Sequence, residues 1–377
     1  MLLLALPVVV EQWLHSIVAL TDTYLANHIV QTGALSGDAL THAHDTNRAT
    51  AAAVGSVMYF LWFVGLLASC VGVGATALIS RATGAKHRSL ANAVVGQTLL
   101  SAAVIGSICG VSMSLLATHI APITGLDVAA QPYFIRYLQI IGLAMPLALV
   151  NMASASCLRG GGDTLSPAIA VMVVDVVNAI VSFSLVRGLL GLPAIGFTGI
   201  AIGTTTAYCV GAILQVSLLL RRSSKVRLFL HRLKPNWDIV VRIFRIGLPS
   251  GVEMLLQWGA NFGVLFVVNG LTNVAAAAHL NSIRIESFSF MTGMGFAVAA
   301  STLVGQSLGM KDRRRAWRCA FLAYAWGGGA MLLWGLSFIL FGPFYAGMLA
   351  QDDPDVARCA PTACTRRVSS RSASRPP

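Results

Sequence analysis

Acidic residues interrupt long apolar stretches of this 377-residue chain, and Glu11, Asp22, Asp175 and Glu253 are the clearest cases. A charged side chain in hydrocarbon is costly, so an acid that persists there is a candidate for function. A carboxyl group in such a place can exchange a proton or hold a small cation. No nucleophile–base pair or metal-ligand spacing stands out in the sequence. We therefore predict cation handling and a protein that is not an enzyme.

Two of these acids have polar neighbours at helical spacing. Asn178 lies one turn after Asp175, and Gln257 and Asn261 follow Glu253 at intervals of four residues. A polar stripe in an apolar helix must face a cavity or another helix. An interhelical hydrogen bond would be the simpler explanation for Glu253.

Further polar residues complete the set of candidates for a substrate cleft. Glu286 lies two residues from Arg284, so mutual neutralisation is the alternative for this pair. For Asp22 the alternative is an acid at a helix end, solvated by lipid headgroups. The predicted cleft residues are Glu11, Gln257, Asn261 and Glu286.

Composition places these side chains in a membrane. The chain is 56% hydrophobic and 11% charged, whereas soluble domains carry roughly 25% charged residues. The net charge of +12 does not indicate nucleic acid, because the charges lie in short segments between apolar runs. Only helices satisfy the backbone of such long apolar segments in lipid. We predict nine spans, at residues 4–27, 54–79, 92–117, 133–157, 165–187, 196–220, 246–270, 280–304 and 318–345.

Basic residues are concentrated on one side of this arrangement. The loops on the opposite side hold only Arg48 and Arg187. The positive-inside rule then predicts a multi-pass inner-membrane protein with a cytoplasmic N-terminus. The basic segments are 81–88, Arg159, 221–245 and 311–318. Pro7, Pro146, Pro167 and Pro249 are predicted to kink the helices that contain them.

The sequence also repeats itself. LPVVVE at residues 6–11 returns as LPSGVE at 248–253, and residues 76–91 align with 301–316. The repeat pairs span one with span seven, so the unit has six helices and both units have the same orientation. A longer polar first outer loop, Gln31–Thr50, accounts for the difference in offset.

The repeat predicts the domain organisation, and the chain's last residues break the pattern. After Gly347 the sequence becomes rich in Arg, Ser and Pro and has no apolar run. We expect an out-of-frame tail and a second lobe that lacks three of its spans; a natural disordered tail is the alternative. The predicted units are a six-helix lobe (1–222), a cytoplasmic basic linker (223–245), a partial three-helix lobe (246–347) and a disordered tail (348–377).

Four motifs together resemble the multidrug and toxic compound extrusion family. They are LPxxxE near the start of each half, Thr-Asp-Thr at 21–23, RGGGDT at 159–164 and VGQSLG at 304–309. The resemblance covers residues 1 to about 347. It implies an all-α membrane bundle of twelve helices in two lobes around a central cleft. It also implies export of cationic amphiphiles in exchange for H⁺ or Na⁺, with no other cofactor.

The resemblance further implies which residues couple transport to the ion. One branch of the family uses an acid in the Thr-Asp-Thr context, which corresponds to Asp22, and an Asn followed four residues later by Asp. Aligned on Asn178, this chain has Ser182 at the acid position, so Asp175 is the substitute one turn earlier. Another branch places its coupling Glu where this chain has Gln257. The coupling candidates are therefore Asp22, Asp175, Asn178 and Glu253, and Asp22 and Asn178 would hold Na⁺ if that is the coupling ion.

Three functions compete at this point. The first is cation/drug antiport by a monomer whose partners are small cationic amphiphiles and membrane lipids. The second is a flippase for lipid-linked sugars from the same superfamily, and the third is an inactive truncated product. A flippase should place cations around its cavity, whereas the intramembrane charges here are mostly acidic, which favours cationic cargo.

Overall fold

The computed structural model describes residues 2–27, 29, 38–189, 191, 193–221, 225–229, 233–269 and 273–349. Within these residues the chain forms nine α-helices and no β-strand. The helices are α1 (Leu2–Asn27), α2 (Asp38–Gly84), α3 (Arg88–Ile123), α4 (Gln131–Gly160), α5 (Leu165–Arg187), α6 (Phe197–Leu220), α7 (Trp237–Asn269), α8 (Asn273–Gly309) and α9 (Arg313–Leu349).

These helices confirm the predicted all-α polytopic architecture. Each predicted span coincides with one helix, in chain order. By length and composition, seven of the helices contain a described segment apolar enough to cross a membrane. The predicted tail lies almost wholly outside the described residues, and the division into lobes and linker stays a prediction.

Two helices extend further than the hydropathy pattern indicates. The predicted first outer loop, Gln31–Thr50, is helical from Asp38 onward, and α7 begins at Trp237 within the predicted linker. No Pro or Gly interrupts residues 38–54. The helix therefore continues beyond the apolar segment, because polar residues end a membrane span without ending a helix.

Two further expectations need correction. Arg159 belongs to the last turn of α4 rather than to a loop. Pro167 is the third residue of α5, where its missing N–H would have no intrahelical partner in any case, so it does not kink the helix. Pro7, Pro146 and Pro249 do lie inside helices.

The sequence repeat is visible in the backbone of two turns. The α2–α3 turn places Lys86 in the left-handed region at φ 59°, and the α8–α9 turn places Lys311 there at φ 60°. In both turns the next amide reaches back to a carbonyl five residues earlier: His87 to Ala82 at 2.9 Å, and Asp312 to Ser307 at 3.1 Å. The turns are therefore structurally equivalent, as the repeat predicts.

Helices α2 and α8 cross at this end of the bundle through a reciprocal close contact. A Cβ on Gly84 would meet the carbonyl of Gln306, and a Cβ on Gly309 would meet the carbonyl of Arg81. These pairs exchange when the repeat offset of 225 is applied, so the crossing has approximate twofold symmetry. Only residues without a side chain permit such an approach of two backbones. The crossing joins the two halves at the end of the bundle that carries Arg81, Lys86, Lys311 and Arg313, which we call the basic end.

The helices of the first half bury two apolar clusters, one toward each end. Near the basic end the cluster includes Ile79, Val95, Leu158 and Leu219. Near the opposite end it includes Leu25, Val57, Phe134 and Ile141. The polar site described next lies among α1, α4, α5 and α6.

Candidate functional site

Asp22 is buried in the middle of this polar site. It lies on α1, which packs against α5, and only 3% of its surface is exposed. Two tyrosine hydroxyls lie within electrostatic range of its carboxylate: Tyr137 on α4 and Tyr208 on α6. Asp22 therefore meets polar groups from other helices rather than lipid headgroups at a helix end.

Helix α5 supplies a polar ladder to the same site. Asp175, Asn178 and Ser182 are all buried, and Asp175 lies within electrostatic range of Tyr208, as Asp22 does. The Ser182 hydroxyl donates to Oδ1 of Asn178 at 3.0 Å, and Nδ2 of Asn178 donates to the Thr204 hydroxyl on α6 at 3.5 Å. The structure thus brings three of the four predicted coupling residues into one group of buried polar side chains, which we call the acid pocket.

Four members of this pocket were not predicted from the sequence. Thr204 lies close to Tyr137, and Tyr208 lies close to both acids. Asn151 on α4 is buried beside Gly211, one turn beyond Tyr208 on α6, and its Oδ1 has no hydrogen-bond partner. Single polar residues in apolar helices carry no spacing signal, so only the packing of α4 against α6 shows that they belong together.

The chemistry of the pocket follows from its donor set. It offers carboxylate, amide and hydroxyl oxygens inside an otherwise apolar bundle. Oxygen ligands of this kind suit hard cations, and a buried carboxylate also exchanges protons. Among the described residues, no group of three or more His, Cys, Asp or Glu side chains could hold a metal ion. A donor set of this kind is chemically able to exchange a proton or to ligate a small hard cation.

Glu11 has a different environment from the other acids. Its Oε1 forms an ion pair with Nη1 of Arg159 at 2.8 Å, and both side chains are largely buried. The carbonyl of Arg159 in turn accepts a hydrogen bond from the Thr302 hydroxyl at 3.1 Å. Arg159 therefore contacts α1 through its side chain and α8 through its carbonyl, so the Glu11 ion pair lies next to a contact between the two halves near the basic end.

The predicted polar stripe of the second half is exposed. Glu253, Gln257 and Asn261 on α7 all have exposed side chains, and so does Glu286 on α8. The side chain of Arg284 lies outside the described residues. None of these acids joins Asp22, so the structure does not assemble all the coupling candidates at one place.

An aromatic contact connects the two halves next to this stripe. Trp62 of α2 and Trp258 of α7 make an edge-to-face contact with ring centroids 3.8 Å apart. Trp62 and its neighbours Tyr59 and Phe63 are exposed, whereas Phe60 packs inward against Phe134. Exposed aromatic faces are suitable surfaces for organic cations.

Comparisons with known proteins agree on one family. The MatE family model matches residues 47–184 and 249–363, which together exceed half of the chain. The "Probable multidrug resistance protein NorM" of Thermotoga maritima is 28% identical over 82% of this chain and 63% of its own length. The "Probable multidrug resistance protein YoeA" of Bacillus subtilis is 28% identical over 69% of this chain and 57% of its own length. The chain thus spans less than two thirds of these two relatives.

Solved structures share the fold. A transporter of the MOP superfamily from Pyrococcus furiosus superposes with a TM-score of 0.79 at 20% identity, over 94% of this chain and 74% of its own. A MATE structure in a bent conformation gives the same TM-score and identity, over 94% of this chain and 75% of its own.

Proposed function

Because this chain belongs to the MatE family, we propose that it is a secondary transporter that exports cationic amphiphilic drugs in exchange for H⁺ or Na⁺. Its homologues are multidrug resistance proteins, and its apolar helices make it a multi-pass membrane protein. The observation that carries the proposal is the burial of Asp22 and Asp175 within electrostatic range of the same residue, Tyr208, together with the buried, hydrogen-bonded amide of Asn178.

The pocket supports coupling by competition for negative charge. Two buried carboxylates are unfavourable without a compensating cation. A proton or Na⁺ can supply that charge, and so can a cationic substrate that binds the same half of the protein. If the ion and the drug stabilise different states of the two halves, the ion gradient drives the exchange. The Asn178–Ser182–Thr204 hydrogen bonds hold the uncharged groups of the pocket in place for either occupant.

The orientation in the membrane follows from charge. The basic residues lie at the end of the bundle where α2 meets α3 and α8 meets α9. The opposite ends of the helices carry Arg48, Arg136 and Arg187. We therefore place the basic end, and with it the start of α1, on the cytoplasmic side of a bacterial inner membrane. In this orientation the direct contact of α2 with α8 lies on the cytoplasmic side.

The exposed groups of α2 and α7 are the proposed path for the drug. Trp62 and Trp258 offer aromatic faces between the two halves, and Glu253, Gln257 and Asn261 provide acceptors on the same helix. An amphiphilic cation matches this mixture of aromatic and acidic groups. A lipid-linked pyrophosphate does not, because it would need cations there.

Two assays test the proposal on separate steps. Efflux of ethidium from cells that produce the chain tests export. Calorimetry of tetraphenylphosphonium binding to the purified protein tests ion release. Buffers of different ionisation enthalpy report released protons, and varied Na⁺ concentration reports released Na⁺. We expect Asp22→Asn to abolish both efflux and the coupled ion release, because it removes the exchangeable charge. Asp127→Asn is the matched control, since Asp127 is exposed outside the pocket.

The outcomes separate the parts of the proposal. Undiminished efflux by Asp22→Asn would remove Asp22 from the mechanism. If the wild type releases an ion on drug binding but shows no efflux, the result would support ion binding at the acid pocket. It would contradict drug export by this chain. Drug binding that releases neither ion would contradict antiport.

A further inference from the structure

A second charged site lies at the basic end of the bundle, outside the acid pocket. A cavity of about 460 Å³ there is lined by Thr83, Lys86, Arg88, Ala91 and Lys225. Three of these five residues are cationic and none is acidic. A cavity with this lining attracts an anion and repels the cationic cargo proposed above.

The fold holds the cations around the cavity. Lys225 belongs to the segment between α6 and α7, which is fixed to the first half by the burial of Val226 and Leu228. The amide of Arg227 also donates to Oδ1 of Asn92 on α3 at 2.8 Å. These contacts place Lys225 opposite the α2–α3 turn. The cavity is therefore built from two separate segments and is not a chance cluster along one helix.

The α2–α3 turn lacks the acid that its counterparts have. In the α4–α5 turn, Asp163 accepts a hydrogen bond from the Ser166 amide at 3.0 Å. In the α8–α9 turn, Asp312 accepts one from the Arg315 amide at 2.9 Å. The corresponding residue before α3 is His87, whose side chain makes no capping hydrogen bond. The first amides of α3 thus lack the carboxylate found at the other two turns, and an external anion can take that place.

Thr83 adds an independent indication of a ligand. It lines the cavity, and its hydroxyl oxygen is buried with no hydrogen-bond partner. Buried polar atoms are rarely left without a partner. A phosphate in the cavity would neutralise the surrounding cations, and a rotation of the Thr83 side chain would let this hydroxyl donate a hydrogen bond to it.

The position of the cavity indicates the source of the phosphate. Arg88 is the first residue of a helix long and apolar enough to cross a membrane. Leu90, two residues later, is exposed. The cavity therefore lies at the level where headgroups meet acyl chains. We propose that it binds the phosphate of an anionic phospholipid in the leaflet that faces the basic end.

The test compares two cation-removing variants of the full chain in detergent. One is Lys86→Gln with Lys225→Gln. The control is Lys311→Gln with Arg313→Gln, which removes two cations from the equivalent α8–α9 turn without touching the cavity. Native mass spectrometry with phosphatidylglycerol, and with phosphatidylcholine as the neutral lipid, measures the affinity of each. We expect the cavity variant to bind phosphatidylglycerol roughly 25-fold more weakly, while the control and all binding of phosphatidylcholine stay unchanged.

Three results would overturn the proposal. An equal loss of phosphatidylglycerol affinity in the cavity variant and the control would show that the lipid is attracted to the basic surface in general. Unchanged binding of phosphatidylglycerol by the cavity variant would show that the cavity is not the binding site. Displacement of phosphatidylglycerol by an equal concentration of inorganic phosphate would assign the cavity to the free anion. If the double variant does not fold, Lys225→Gln alone, at an exposed position, should still weaken binding roughly fivefold.

Discussion

The Glu11–Arg159 ion pair provides the sharpest test of the buried charges at the basic end. Glu11→Gln removes the negative charge and leaves the Arg159 guanidinium largely buried, at 15% side-chain exposure, without its anion. Removal of one partner of a buried pair typically costs about 3–5 kcal/mol. We therefore expect the melting temperature of the purified protein to fall by about 5–10 °C. The repeat supplies the control, because Glu253 occupies the equivalent position on α7 but is exposed.

A double-mutant cycle makes this prediction specific. Glu11→Gln, Arg159→Gln and the double variant should show a coupling free energy well above about 1 kcal/mol, because each single change leaves a buried charge that the double change removes. Thermal unfolding followed by intrinsic tryptophan fluorescence gives the melting temperatures. Glu253→Gln should leave the melting temperature unchanged. The reasoning fails if Glu11→Gln and Glu253→Gln have the same effect, or if the single changes simply add.

Other substitutions test individual contacts by the same measurement. Gly84→Ala should lower the free energy of unfolding by about 1–3 kcal/mol, because the new Cβ would meet the Gln306 carbonyl. Gly55→Ala is the control and should not destabilise the protein, because a Cβ there would meet no atom within 4 Å. Thr302→Val should cost about 1 kcal/mol through loss of its hydrogen bond to α4, and an unchanged melting temperature would show that this bond contributes nothing. Ser182→Ala should cost a similar amount and also weaken ion release, since the hydroxyl holds an amide of the acid pocket.

The helices could be predicted from the sequence because lipid imposes a simple rule on apolar length. The same rule gave no information on where α2 and α7 begin, since Asp38 and Trp237 lie in polar sequence. The equivalence of the α2–α3 and α8–α9 turns was also predictable, because Lys86 and Lys311 occupy matching places in the repeat. The reciprocal glycine contact between α2 and α8 was not, because it depends on how two helices cross.

The candidate site was predictable only in its acidic members. Asp22 and Asp175 attract notice because a charge in an apolar segment is rare. Tyr137, Thr204 and Tyr208 are ordinary residues of such segments, and they belong to the site only through the packing of α4 and α6. Glu11 met the same criterion of rarity as Asp22 but forms an ion pair. Residue type therefore identifies a buried acid, and its partners must come from the structure.

The repeat preserves the backbone of the α2–α3 and α8–α9 turns but not the buried charges of α1 and α7. The offset of 242 that relates residues 6–11 to 248–253 places Val264 opposite Asp22, and Val264 is exposed. The same offset relates the paired, buried Glu11 to the exposed Glu253. The first half thus holds both the buried acid pocket and the buried Glu11–Arg159 ion pair. The matching part of α7 carries the exposed polar stripe that begins at Glu253. An ion bound at the proposed pocket would change the contact between the halves only through elements that reach both. Helix α1 is such an element, because it carries Asp22 in the pocket and Glu11 in the ion pair with Arg159. The carbonyl of Arg159 accepts the hydrogen bond from Thr302 of α8.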